Sequence, residues 1–132
     1  MMVRTGIDII ETSRIQEGIE KYGDKFLNRI FTNDEIIYCE SKKIQKYQSY
    51  AGRFAAKEAV FKALSDRLKN KFEIEWKDIE IINTSSGKPN ILLHGELSKI
   101  LNTSIPYMID VSISHIEKIA TASCVVMFFE GQ

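Results

Sequence analysis

The stretch from Lys46 to Leu68 constrains the fold more than any other. It is rich in Ala, Lys and Glu and contains no Pro, which predicts the longest helix of the chain. Past it, the hydrophobic period shortens toward that of a strand. Strands are expected over Ile79–Ile82 and Asn90–Leu93, joined by the turn signal Ser85-Ser86-Gly87-Lys88-Pro89. Two more, Met108–Ser114 and Ile119–Phe129, should form an antiparallel hairpin through His115-Ile116-Glu117-Lys118. Val3–Ile10 reads as a strand of its own. Shorter helices are expected over residues 13–21, ended by Gly23, and over Gly95–Asn102. Another is opened by Thr32 and Glu35 at capping-box spacing, the spacing Ser13 and Gln16 also have. Helices on a mainly antiparallel sheet make an α+β architecture. With 132 residues the chain is expected to form one domain, 1–132.

Charge then narrows the partners. Lys plus Arg number 18, and so do Asp plus Glu, so the basic excess of a general nucleic-acid binder is missing. A local basic pocket stays compatible with that balance. No apolar run approaches the ~20 residues that span a bilayer. The opening Met1-Met2-Val3-Arg4-Thr5-Gly6 lacks the layout of a signal peptide. The expectation is a cytoplasmic protein without a membrane partner. Cys39 and Cys124 are too few and too far apart for a disulfide framework or a zinc site, and read as reduced thiols.

Two acids break the apolar pattern. Asp8 interrupts the first strand between isoleucines in Gly6-Ile7-Asp8-Ile9-Ile10-Glu11, where burial without a partner is expensive. Its plain alternative is a loop or cap carboxylate ahead of Ser13. The second is Glu58. With Arg53 at zero on the helical wheel, the apolar stripe centres at roughly 70°, Lys57 lies near ~40° and Glu58 near ~140°. Both charges border the stripe, and Lys62 lies on the shoulder opposite Arg53. Pairing of Glu58 with Lys62 one turn on explains the lysine, but not the inward charges. Mg²⁺ typically takes one or two carboxylates plus substrate phosphates. Asp8 and Glu58 would supply that minimum, with Arg53, Lys57 and Lys62 meeting phosphate oxygens.

Two further segments carry polar signals. Ser85–Pro89 could contact a phosphate or be a plain hairpin turn, and it lacks the GxxxxGK[ST] pattern of a P-loop. Ser112-Ile113-Ser114-His115 puts Asp110, Ser112 and Ser114 on one strand face and His115 on the other. That parity, with no GxSxG elbow, excludes a Ser-His-Asp triad. His115 is left as a capped strand end or a substrate contact, and His94 as a surface residue at a strand end.

Taken together, four segments resemble one family. Gly6-Ile7-Asp8-Ile9-Ile10-Glu11 is similar to its G-x-D-x-x-E motif, and Phe54-Ala55-Ala56-Lys57-Glu58-Ala59 to its F/W-x-x-K-E-A signature. Gly87-Lys88-Pro89 and Ser112-Ile113-Ser114-His115 resemble the accompanying elements, in the same order. The family is the holo-(acyl-carrier-protein) synthases, the short branch of the 4′-phosphopantetheinyl transferases. The resemblance implies transfer of phosphopantetheine from coenzyme A to a serine of apo acyl carrier protein, releasing adenosine 3′,5′-bisphosphate. It implies Mg²⁺ on Asp8 and Glu58, Glu58 helping to deprotonate the serine, and Lys62 serving the leaving phosphate. Arg53, Lys57, Lys62, Gly87, Lys88, Pro89, Ser112 and His115 would surround coenzyme A. The implied assembly is a homotrimer with sites between subunits, the helix motifs and the His115 strand on neighbouring chains. Carrier docking would fall to Arg14, Lys21, Lys25, Phe26 and Arg29. Residues 12–31 also hold Glu17, Glu20 and Asp24, four positive against three negative. Such a diluted patch implies weaker or more salt-sensitive docking. A coenzyme A-binding module without turnover and a metal-dependent phosphohydrolase are the rival readings.

Overall fold

The computed structural model describes residues 1–68, 74–102 and 105–129. Strand β1, Met2–Glu11, leads into helices α1 (Thr12–Tyr22), α2 (Asp24–Ile30) and α3 (Asn33–Glu40), and then the long α4 (Lys46–Leu64). The rest is β2 (Ile79–Asn83), β3 (Pro89–Leu93), α5 (Gly95–Asn102), β4 (Tyr107–His115) and β5 (Ile119–Phe128). The architecture is the expected α+β, with all pairing antiparallel among the described residues. It is divided into a three-stranded sheet in the order β1-β5-β4 and a separate β2-β3 ribbon.

Helix α4 lies on the three-stranded sheet, and small residues make that possible. Ala55, Ala56, Ala59 and Ala63 are buried along it. At Gly6 of β1 an added Cβ would overlap the Ala59 carbonyl oxygen, and at Gly52 of α4 it would press on Ile113 of β4. The helix therefore touches both edge strands, its N-terminal half at β4 and its C-terminal half at β1. One core forms between α4 and the inner sheet face, around Val60, Leu64, Val111, Cys124, Val126 and Phe128. A second, around Ile15, Leu27, Phe31 and Tyr50, is closed by α1 to α3.

Three local expectations need correction. Gly23, at φ 59°, ends α1 as expected, but a further helix, α2, starts immediately after it. Ser13 and Gln16 make no capping box: Thr12 begins α1 with its N–H donating to the Lys118 carbonyl, and Gln16 donates to Glu20. The box of Thr32 and Glu35 does form, at the start of α3. The long helix stops at Leu64 and continues as a 3₁₀ turn over Ser65–Arg67.

The outer face of the three-stranded sheet is open and carries exposed apolar side chains among polar ones. Ile7, Ile9 and Met108 are 66%, 68% and 65% exposed, and Val3, Val125 and Ile119 join them. No helix among the described residues is long and apolar enough to cross a membrane.

Candidate active site

Asp8, on the inward-facing parity of β1, meets the C-terminal half of α4 and lies in register with Ala122 of β5. Its side chain is 16% exposed and accepts from Lys62 Nζ at 3.2 Å, while the same ammonium donates to the Ile7 carbonyl at 2.9 Å. Glu58 and Asp8 share a cleft of about 310 Å³ with Ile10, Arg14, Phe26 and Phe54. No hydrogen bond or ion pair to another described residue engages the Glu58 carboxylate. Burial first, and the neighbouring Asp8 charge second, push its pKa above the ordinary Glu value, against the pull of Lys62. A half-buried carboxylate of raised basicity beside a second carboxylate can accept a proton or share a hard cation.

A second cleft, of about 250 Å³, opens where the N-terminal half of α4 meets β4 and the β2–β3 turn. Arg53, Gly87, Pro89 and His115 line it with Tyr38, Lys42, Ser49 and Asn83. The Arg53 guanidinium lies 4.0 Å from the centre of the Tyr38 ring and donates to the Asn83 side chain. Its Nε is buried without a partner among the described residues. His115 Nδ1 lies 3.1 Å from Gln48 Oε1. The cleft thus offers a stacked guanidinium, an imidazole and a Gly-Pro turn at one opening, a surface able to receive a phosphorylated heteroaromatic group.

Comparison with known proteins decides among the readings. The family model of the 4′-phosphopantetheinyl transferase superfamily matches residues 4–121. A holo-(acyl-carrier-protein) synthase of Solibacter usitatus is 41% identical over 96% of this chain and 98% of its own. The chain belongs to the 4′-phosphopantetheinyl transferase superfamily. Among solved structures, the ACPS–CoA complex of Chronobacterium ammoniagenes superposes with a TM-score of 0.88 at 25% identity, covering 98% of this chain and 100% of that one. The Helicobacter pylori holo-(acyl-carrier-protein) synthase in complex with coenzyme A gives 0.78 at 35% identity, over 93% and 99%.

The residues read as this transferase's site divide between the two clefts. Asp8 and Glu58 come together, with Lys62 on Asp8. Arg53, Gly87, Pro89 and His115 come together elsewhere, and the two linings share no residue. The expectation that Arg53, Lys57 and Lys62 together meet phosphate oxygens beside Asp8 and Glu58 is therefore corrected. Arg53, more than one turn before Glu58, projects into the other cleft. Lys57 is fully buried: its ammonium donates to Glu35 at 2.8 Å, to the Trp76 carbonyl at 3.2 Å and to the Ile79 carbonyl. All three of its donors are used, so the expected phosphate contact at Lys57 has no hydrogen to offer.

Lys88 is exposed, and Asp110 receives it at 2.8 Å. Ser112 sits on the outward parity of β4, one strand position from the cleft residue Ile113. Of the docking candidates, Arg14 and Phe26 line the carboxylate cleft, while Lys25, Phe26 and Arg29 line an adjoining hollow of about 460 Å³ with Tyr22. Lys21 lies over the Tyr22 ring. His94, read as a plain surface residue, pairs at 2.9 Å with the buried Glu80. Burial pushes the Cys39 and Cys124 thiols up to about 11 and about 12, where they stay protonated at neutral pH.

Sequence reasoning missed Tyr38, Asn83, Glu35 and Trp76. Tyr38 and Asn83 carry no motif. The available signal for Glu35 was its place in the capping box, which explained the residue before any partner for Lys57 was sought.

Proposed function

We propose that this transferase moves 4′-phosphopantetheine from coenzyme A to a serine hydroxyl of an apo acyl carrier protein, releasing adenosine 3′,5′-bisphosphate in the presence of Mg²⁺. The observation that carries the reading is Glu58: without a hydrogen bond or ion pair among the described residues, raised in basicity, and sharing one cleft with Asp8, which Lys62 contacts, and with the Arg14–Phe26 flank. The serine oxygen forms a bond to the phosphorus that carries pantetheine, and the bond from that phosphorus to the leaving adenosine bisphosphate breaks. Glu58 accepts the serine proton. The Lys62 ammonium, already at the mouth beside Asp8, stabilises or protonates the departing phosphate. Arg53, His115, Gly87 and Pro89 hold the nucleotide, and Lys88 reaches its phosphates once released by Asp110.

The donor set fits magnesium. Asp8 and Glu58 are hard oxygen ligands on one cleft, and two carboxylates leave positions for substrate phosphate and water. When bound, the ion would neutralise pyrophosphate charge.

Arg14, Lys21, Lys25, Phe26 and Arg29 form the proposed docking flank for the acidic carrier. The exposed apolar side chains of the open sheet face support a homotrimer, in which the carboxylate cleft of one chain and the Arg53–His115 cleft of the next bind one coenzyme A. The cytoplasm suits two reduced thiols.

Intact mass of apo carrier protein, incubated with coenzyme A and Mg²⁺, tests the reading. Wild type should add one phosphopantetheine, and Glu58→Gln should slow the addition by ~10²–10⁴-fold. Wild-type incubation without a mass gain refutes the transfer, and full activity in Glu58→Gln refutes the assignment of the base. Release of nucleotide without an acceptor would instead mark a hydrolase.

A further inference from the structure

The buried pair of Lys57 and Glu35 has no part in the proposed transfer, yet it anchors α4, the helix that carries Glu58, to segments outside the carboxylate cleft. Glu35 Oε1 accepts from Lys57 at 2.8 Å and from the Thr32 N–H at 2.9 Å, and Oε2 accepts from the Ile81 N–H at 2.9 Å. Lys57 in turn donates to the carbonyls of Trp76 and Ile79. Both side chains are 0% exposed. One ion pair therefore ties α3, α4, the 3₁₀ turn at Trp76–Asp78 and the start of β2.

The Trp76 ring lies on the same side. It stacks on Phe54 with centroids 5.0 Å apart and meets Phe61 edge-on at 5.6 Å. Phe54 and Phe61 stand four residues before and three after Glu58, one above and one below it on the helix. Phe54 also lines the carboxylate cleft. The backbone of Trp76 is thus held by Lys57, and its indole backs the aromatic wall beside Glu58.

We propose that Lys57 is a positioning residue: its grip on the Trp76 carbonyl seats the indole against Phe54 and Phe61 and so fixes the wall against which the Glu58 side chain stands. Its catalytic consequence rests on the phosphopantetheine-transfer reading, whereas the seating of Trp76 does not.

Lys57→Met alone would strand the Glu35 carboxylate in the core, so the decisive variant is the double change Glu35→Leu with Lys57→Met, which removes both buried charges together. Trp76 is the only tryptophan in the chain, and its fluorescence reports the seating directly. The double variant should keep wild-type circular dichroism and show increased acrylamide quenching of Trp76. Its kcat should fall by ~10- to 100-fold, as for a misplaced catalytic group, with KM for coenzyme A unchanged. Trp76→Leu, which leaves the ion pair intact, should reproduce the loss in kcat.

Native kcat in either variant overturns the proposal, as does unchanged quenching in the double variant. A raised KM at native kcat overturns it too, because that is the signature of a ligand contact. A wild-type protein that transfers nothing would overturn the transfer reading, and quenching would still decide the seating of Trp76.

Discussion

Glu80 is almost wholly buried, and burial alone would raise its pKa. The hydrogen bonds from Thr32 and His94 outweigh that effect and hold the carboxyl below the ordinary Glu range. The unfolded group titrates near ~4.3 and the folded one lower. The stability Glu80 contributes is therefore complete above the unfolded value and is lost as pH falls through the folded one. Wild type should melt above Glu80→Gln at about pH 5, and the gap should shrink toward about pH 3. A gap that widened over that interval would contradict the assignment. Gly6 makes a different demand, for space. A Cβ there meets backbone atoms of α4, which cannot rotate away, so Gly6→Ala should cost ~1–3 kcal/mol in denaturant unfolding. It should also lower transfer, because Asp8 lies two residues further along the displaced strand. Asp8 and Glu58 were legible because their charges are out of place in apolar surroundings. The partner of Lys57 was not, since a charge on an apolar border fits a ligand as well as it fits a buried carboxylate 22 residues away.

Helix α4 serves two clefts because its small residues let it cross the sheet closely, with Arg53 directed to one side and Glu58 to the other. A helical wheel gives the angle of each side chain about the axis, but not which neighbour waits at that angle. That is why the division of the motif between two clefts could not be read from spacing. Helix α2 escaped notice for a related reason. Gly23 signals an end, and a left-handed glycine permits the chain to turn and resume helix at once. The Thr32 box was legible because its two reciprocal bonds are local. The Ser13 spacing misled because the Lys118 carbonyl, from the distant hairpin, took the first N–H of α1. Thr32 caps α3 and also donates to Glu80. Thr32→Ala should therefore cost ~1–2 kcal/mol, at the upper end of cap losses, whereas Thr32→Ser should recover most of it.

Apolar side chains on the outer face of the β1-β5-β4 sheet, centred on Ile7, Ile9 and Met108, face solvent in the isolated chain. Exposed apolar side chains gathered on one sheet face mark contact sites. A polar substitution there, Ile9→Lys, should leave circular dichroism unchanged and, on the proposed homotrimer, give a monomer in light scattering. Transfer should be lost with it if each coenzyme A spans two chains, and full activity in a proven monomer would refute the shared site. Composition was silent on this face, because strand alternation alone cannot tell a core from a contact with another copy.

A reaction centre completed only by assembly follows the law of mass action. If the proposed trimer shares its sites between chains, activity per molecule should decline on dilution and recover when an inactive Glu58→Gln chain is added as an associating partner. On that reading such a chain would lack its own base but would still lend its Arg53–His115 cleft to a neighbour. The mixture would then turn over faster than the dilute wild type alone, so that a catalytically dead subunit acts as an activator.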